Sequence, residues 1–354
     1  METFKKNVKT QIAFLLFFMV MLLSGCWSYK DINHRMLPDT IGISTIDDEY
    51  EVFLTVPITE NDKMERKVVS AKGESISKAV DIISRNIDSS VNLLHVNIIL
   101  IERGTSEEGI NDIIAGFVRS RDVSNNALVA ICDEDIEIFL SKTLEETNIY
   151  EFFQKNSGWD PEIILTRVWH IYRSIYSYTH DVAIPIIKSD KNTPMKQVGT
   201  AIMKNGKMVG QLSSEETLLI NAFYGESVQG KVQVMNHATV TIKSNTNKHS
   251  SGIRDNIPSI HSKISLKVVI METKGDPSPE IIKDELKIEL TNMFYKMFAK
   301  IQDNEADILG LGQFFRNEIP RKELEDWRSV YYPKLKMDFQ FHIDIQNKGY
   351  LRTT

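Results

Sequence analysis

The chain has 354 residues, 42% of them hydrophobic, with 48 acidic residues against 42 basic and a net charge of −6. That length supports cores for two or three domains, and two cysteines exclude a disulfide-stapled scaffold. A moderately acidic exterior argues against nucleic acid and against an electrostatic grip on anionic lipid.

Lys5, Lys6 and Lys9 precede an apolar run from Ile12 to Leu23. It is well short of the roughly 20 residues that a spanning helix needs. With Ser24 and Gly25 before Cys26, "LSGC" looks like a bacterial lipobox, so residues 1–25 are expected to be a signal peptide. Cleavage would leave Cys26 first and a net charge of −8, because the removed segment carries three lysines and one glutamate. The Cys26 thiol is expected to be alkylated by a diacylglycerol group. Two acyl chains, at about 0.8 kcal/mol per buried methylene, give a stable anchor where one is marginal. The plainer alternative is an uncleaved helix with an incidental Cys26, and the small residues and short apolar run speak against it. Residues 26–39 read as a polar tether.

An N-terminal α+β domain is expected over residues 40–147. "TIGISTI" and "YEVFLTVPI" alternate like strands around Asp47-Asp48-Glu49, a hairpin, and an extended stretch follows near Val68–Ala71. A helix is predicted from Ile76 to Ile87, with Ile76, Ala79, Val80 and Ile83 on one face. "HVNIILIE" reads as an interior strand. Thr105-Ser106-Glu107-Glu108 reads as a capping box opening one helix to about Arg119. "NALVAIC" is strand-like, with Cys132 a buried small hydrophobe, and Asp133–Ser141 a short helix.

Residues 148–196 read as a mainly helical middle domain or connector, with helices over Ile149–Phe153 and Leu165–Tyr178. Val168, Trp169, Tyr172, Ile175 and Tyr176 form a stripe whose plainer reading is packing and whose sharper one is an aromatic cage. A C-terminal α+β domain is expected over 197–354. Asn205-Gly206 between "VGTAIM" and "MVGQL" is a hairpin signal, and Ser213-Ser214-Glu215-Glu216 a second capping box. Long strands are predicted over Val232–Ser244 and Ile260–Thr273, joined by a mobile polar loop "NTNKHSSGIRDN". Asp276-Pro277-Ser278-Pro279 opens a long helix, Glu280 to Asp303, with Ile282, Leu286, Leu290, Met293, Met297 and Ile301 inward. Helical turns and the alternating strand "KMDFQFHIDIQ" close the chain.

No catalytic constellation stands out. The eight histidines are scattered singly, His-Glu-x-x-His is absent, and Gly310-Leu311-Gly312 reads as a tight turn and not as a dinucleotide fingerprint. A wall-modifying enzyme with paired carboxylates is not supported by any spacing.

Three passages together are specific: "GCW" with "DIN" and the "IGI" strand; Gly199 to Thr217, "GTAIMKNGKMVGQLSSEET"; and Asp307 to Gly349, beginning "DILGLGQFFRNEIP" and including Trp327. In order and spacing they resemble the Ger(x)C family, the lipoprotein C subunits of bacterial spore germinant receptors. The chain departs from that family at Ser28, where an acidic residue is usual, and at Glu323-Leu324, where a second Trp is common. The resemblance implies a multi-domain α+β lipoprotein with mixed and antiparallel sheets on the outer face of the inner spore membrane. It implies integral membrane A and B subunits as partners, no enzymatic activity, and no cofactor beyond the lipid at Cys26. Whether such a subunit touches the nutrient is left open. The rival readings are a solute-binding lipoprotein of a nutrient transporter and, behind it, the wall enzyme.

Overall fold

The computed structural model describes residues 35–347, apart from 61–62, 88, 144–148, 158–161, 227–229 and 235. The predicted signal peptide, most of the tether and Cys26 lie outside the described residues. A short β1 (Arg35–Met36) leads into β2 (Thr40–Ile46), β3 (Glu49–Glu60) and β4 (Lys63–Gly73), an antiparallel meander. The first turn places Asp47 and Asp48 at φ 50° and 66°, the two positive angles of a type I′ turn. Ser75 then caps α1 (Ile76–Asn86), accepting the Lys78 N–H at 3.2 Å, and Ala79 and Ile83 are buried.

After β5 (Ser90–Val91) comes β6 (Ile98–Glu102), whose residues Ile98 to Ile101 are all fully buried. Ile98 and Leu100 enter one apolar core and Ile99 and Ile101 another, the signature of a strand covered on both faces. Each such side chain stabilises the fold by about 1.5–3 kcal/mol.

The helix predicted from Thr105 to Arg119 is two helices, α2 (Arg103–Glu108) and α3 (Asn111–Ser120). Thr105 caps nothing. Its hydroxyl oxygen accepts the Thr45 N–H at 2.8 Å, and the helix already begins at Arg103. At the break the Ile110 N–H donates to the Gly206 carbonyl at 2.9 Å instead of continuing the helix. β7 (Leu128–Cys132) follows, with Cys132 buried as predicted; α4 (Ile136–Thr143) starts later than predicted because Asp135 accepts the Ile138 N–H at 2.9 Å.

α5 (Ile149–Ser157) and α6 (Val168–Ile175) lie in the middle segment, but so does a strand that sequence periodicity did not mark, β8 (Ala183–Ser189). It is joined by the hairpin of β9 (Met195–Lys204) and β10 (Lys207–Leu212). The large sheet runs β10-β9-β8-β7-β6-β2-β3-β4, parallel through its four central strands and antiparallel at both flanks. The expected divisions at 147 and 197 therefore do not coincide with breaks in this sheet. Buried apolar side chains such as Ala79, Ile83 and Ile113 cover one face, and Ile136, Phe139 and Phe153 the other.

α7 (Ser214–Tyr224) carries the predicted capping box: Ser213 Oγ accepts the Glu216 N–H at 3.1 Å and Glu216 Oε2 accepts the Ser213 N–H at 2.8 Å. The predicted strand 232–244 is two strands, β11 (Gly230–Val234) and the start of β12 (Ala238–Arg254). β12 continues through the polar stretch read as a mobile loop and pairs with β13 (Ile257–Thr273) around a two-residue turn, Asp255 and Asn256, at φ 52° and 62°. The polarity has a use: Asn247 donates its side-chain N–H to the Phe223 carbonyl, and Ser262 and His249 hydrogen-bond at 2.9 Å.

Ser278 caps α8 (Pro279–Asp303), with Pro279 at the first helical position. The helix returns the chain so that β14 (Lys336–Asn347) lies parallel to β13, and the second sheet runs β11-β12-β13-β14. The fold is α+β with mixed sheets, as expected. Among the described residues no helix is long and apolar enough to cross a membrane.

Candidate functional site

The "DILGLGQFF" passage follows α8 and folds on its first residue. Asp307 is fully buried, and its carboxylate oxygens accept the Leu311 N–H at 2.7 Å, the Gly312 N–H at 2.8 Å and the Trp327 indole N–H at 2.9 Å. Gly312 is required by closeness: a Cβ there would lie 2.7 Å from the Trp327 ring and 2.7 Å from Thr179. Burial pushes the Asp307 carboxyl up to about 7, and the three N–H donors pull against it.

Asp307 also meets the large sheet. Its N–H donates to Asp181 Oδ2 at 2.9 Å, and the Asp181 N–H donates to the Asp307 carbonyl at 2.9 Å. Asp181 in turn accepts two N–H groups from Arg328, at 2.8 and 2.9 Å, and the Asn205 N–H at 3.2 Å. Arg328 completes its fork on the Ser177 carbonyl at 2.6 Å. This buried, fully hydrogen-bonded pair fixes the start of β8, the β9–β10 turn and the C-terminal turns in one geometry.

Above the pair opens a cleft of about 500 Å³, lying where the three apolar cores meet. Its floor is the segment 163–166, pinned by Thr166, whose hydroxyl donates to the Ala183 carbonyl at 2.5 Å, and by Asn221, whose side-chain N–H donates to the Ile163 carbonyl at 2.9 Å. His170 Nδ1 accepts the Arg167 N–H at 3.1 Å, which places the ring proton on Nε2. Arg173 donates to His180 Nδ1 at 3.3 Å, His180 Nε2 donates to Tyr224 Oη at 3.2 Å, and the Tyr224 hydroxyl donates to the Ile308 carbonyl. Both imidazoles are neutral at pH 7. Burial, then the nearby guanidiniums, lowers His170 and His180 from 6.5 to about 4.

The aromatic stripe of α6 divides. Val168 is buried and Tyr172 and Ile175 pack half-buried against the same core, whereas Trp169 and Tyr176 are 39% and 63% exposed, and Arg173 lies over the Trp169 ring at 5.3 Å. The packing reading holds for one face of the helix only. The histidines read as scattered singly include a pair, His170 and His180, on one cleft. The sequence signal missed was charge, since Arg167 and Arg173 flank His170 on α6, but their meeting with Asp181, Tyr224 and Glu226 depends on long-range folding.

Cys26, the predicted lipidation site, lies outside the described residues. The Cys132 thiol is buried between sheet and α4, and burial pushes it up to about 12, so it is no nucleophile at neutral pH. Among the described residues no three His, Cys, Asp or Glu side chains gather as a metal site.

Residues 28–189 match the family described as the spore germination protein N-terminal domain, and residues 198–349 match spore germination B3/GerAC-like, C-terminal. The chain is 22% identical to spore germination protein KC of Bacillus subtilis (strain 168), covering 98% of this chain and 96% of that one. It is 25% identical to spore germination protein B3 of the same organism, over 81% of each chain. The crystal structure of the GerBC protein superposes with a TM-score of 0.59 at 17% identity, covering 87% of this chain and 97% of that chain, a likeness of fold.

Proposed function

Because the chain belongs to the GerAC family of spore germination proteins, we propose that it is the lipid-anchored C subunit of a nutrient germinant receptor, held through Cys26 at the outer face of the inner spore membrane and acting with integral membrane A and B subunits. The observation that carries this reading is the pair of family matches, over residues 28–189 and 198–349, the first of which begins two residues after the "LSGC" cysteine. Confinement to the plane of the membrane raises the effective concentration of its partners, so modest contacts hold the assembly together.

No catalytic step is assigned to it. Asp181 and Asp307 are occupied by structural donors, and the Cys132 thiol is sealed in the sheet. The test is recovery of partners from spore membranes with a tagged chain. Integral membrane receptor subunits are the expected result; transporter ATPases in their place would favour the solute-binding alternative and overturn the receptor assignment.

A further inference from the structure

The cleft beside α6 is built unlike a void left by imperfect packing. Arg167 spends one of its five N–H groups on the Asn126 carbonyl, at 2.6 Å, and Arg173 spends one on His180. Neither guanidinium is ion-paired with a carboxylate among the described residues. Ile164, Leu165 and Val182 are each only half-buried, so apolar surface faces the same space. Guanidinium donors beside an apolar wall, in a cleft of a few hundred cubic ångströms, are the composition of a site for a small amphipathic ligand.

The charge count selects its class. Arg328 cancels Asp181, and exposed Glu226 offsets one of the two cleft arginines. His170 and His180 contribute no charge at neutral pH. Asp307, hydrogen-bonded to Asp181 and ionising at about 7, takes up part of what remains, so the cleft holds at most one surplus positive charge, enough for a monoanion and not for a dianion. A carboxylate also suits the planar fork of Arg in a way that a lone point charge does not. We propose that this cleft is a binding site for a small organic monocarboxylate, with its carboxylate on Arg167 and Arg173 and its apolar body against Ile164, Leu165 and Val182. The inference goes beyond the receptor reading and is independent of the membrane anchor, so either can fail alone.

The experiment is isothermal titration calorimetry of the full-length protein in detergent, with benzoate, its neutral isostere benzamide, and phenyl phosphate as probes, at a pH where the phosphate is a dianion. Benzoate is expected to bind saturably, one per chain, with benzamide and phenyl phosphate each weaker by about tenfold or more. Arg173→Gln, at an exposed side chain that contacts His180 and the Trp169 ring, should lower benzoate affinity about tenfold while costing little in melting temperature. Arg167→Gln is the second variant and should lower benzoate affinity to a similar extent, with some fall in melting temperature because its bond to the Asn126 carbonyl is lost. Absence of saturable benzoate binding, equal binding of benzamide, tighter binding of phenyl phosphate, or undiminished affinity in both arginine variants would each overturn the proposal.

Discussion

A buried charge is tolerated when its partner is present and is costly when the partner is removed. Asp181 is 1% exposed and Arg328 9%. Arg328→Met should therefore destabilise the protein by about 3 kcal/mol, whereas adding Asp181→Asn to it should restore part of the loss. Urea denaturation of the single and double variants measures both, and a double variant as weak as the single would contradict the account. The cleft histidines respond to pH in a definite direction. With folded values of about 4 against 6.5 unfolded, the unfolded chain takes up protons first as pH falls. The stability they allow is complete above 6.5 and is lost as pH falls through 4. Both rings are partly open to solvent, so at pH 5 the loss is about 1 kcal/mol each and not the full shift. Asp307, raised to about 7, acts in the opposite sense over the same range. The clean measurement is a difference: between pH 7 and pH 5, wild type should lose more in melting temperature than a His170→Gln/His180→Gln variant.

At the level of elements, three hairpins close through pairs of positive-φ residues, Asp47-Asp48, Asn205-Gly206 and Asp255-Asn256. The first two were legible because turn residues interrupt alternating apolar runs. The third was missed because β12 is polar along most of its far half, and periodicity cannot see a strand held by Asn247 and His249 against α7. β8 was missed for the opposite reason: "AIPIIKS" is a short apolar run with no alternation. The cleft itself was illegible, since its walls come from separate stretches between residues 163 and 226. Gly206 joins the β9–β10 turn to the α2–α3 break. Its φ is 76°, and a Cβ there would lie 1.6 Å from Asn111 Oδ1 at the α2–α3 break. Gly206→Val should lower the melting temperature and loosen the contact of this hairpin with α3, which belongs to the large sheet's covering layer and not to the C-terminal sheet. Hydrogen exchange at the Ile110 amide, which donates to the Gly206 carbonyl, should rise with it; unchanged exchange and melting would show the turn to be dispensable.

For the whole molecule, the receptor reading separates position from fold. Cys26→Ala should abolish lipid attachment and processing, leaving a larger precursor and a weakened nutrient response, while the domains fold as before because residue 26 precedes β2 and no disulfide is lost. Fractionation of spores with immunoblotting, beside a germination assay, checks it. Normal size, membrane retention and full response in the mutant would refute the anchor.

The parallel pairing of β13 with β14 carries a consequence in time. A chain made from its N-terminus exposes β13 well before residues 336–347 exist to cover it, and the Asp181–Arg328 pair spans 147 positions. Closing such distant contacts costs loop entropy before any reward, so folding should be slow for the chain's size. Meanwhile the bare edge of β13 is a template for any other unfinished copy nearby. Solubility during synthesis should therefore depend on residues 336–347, and loss of this strand should lower the yield of soluble protein.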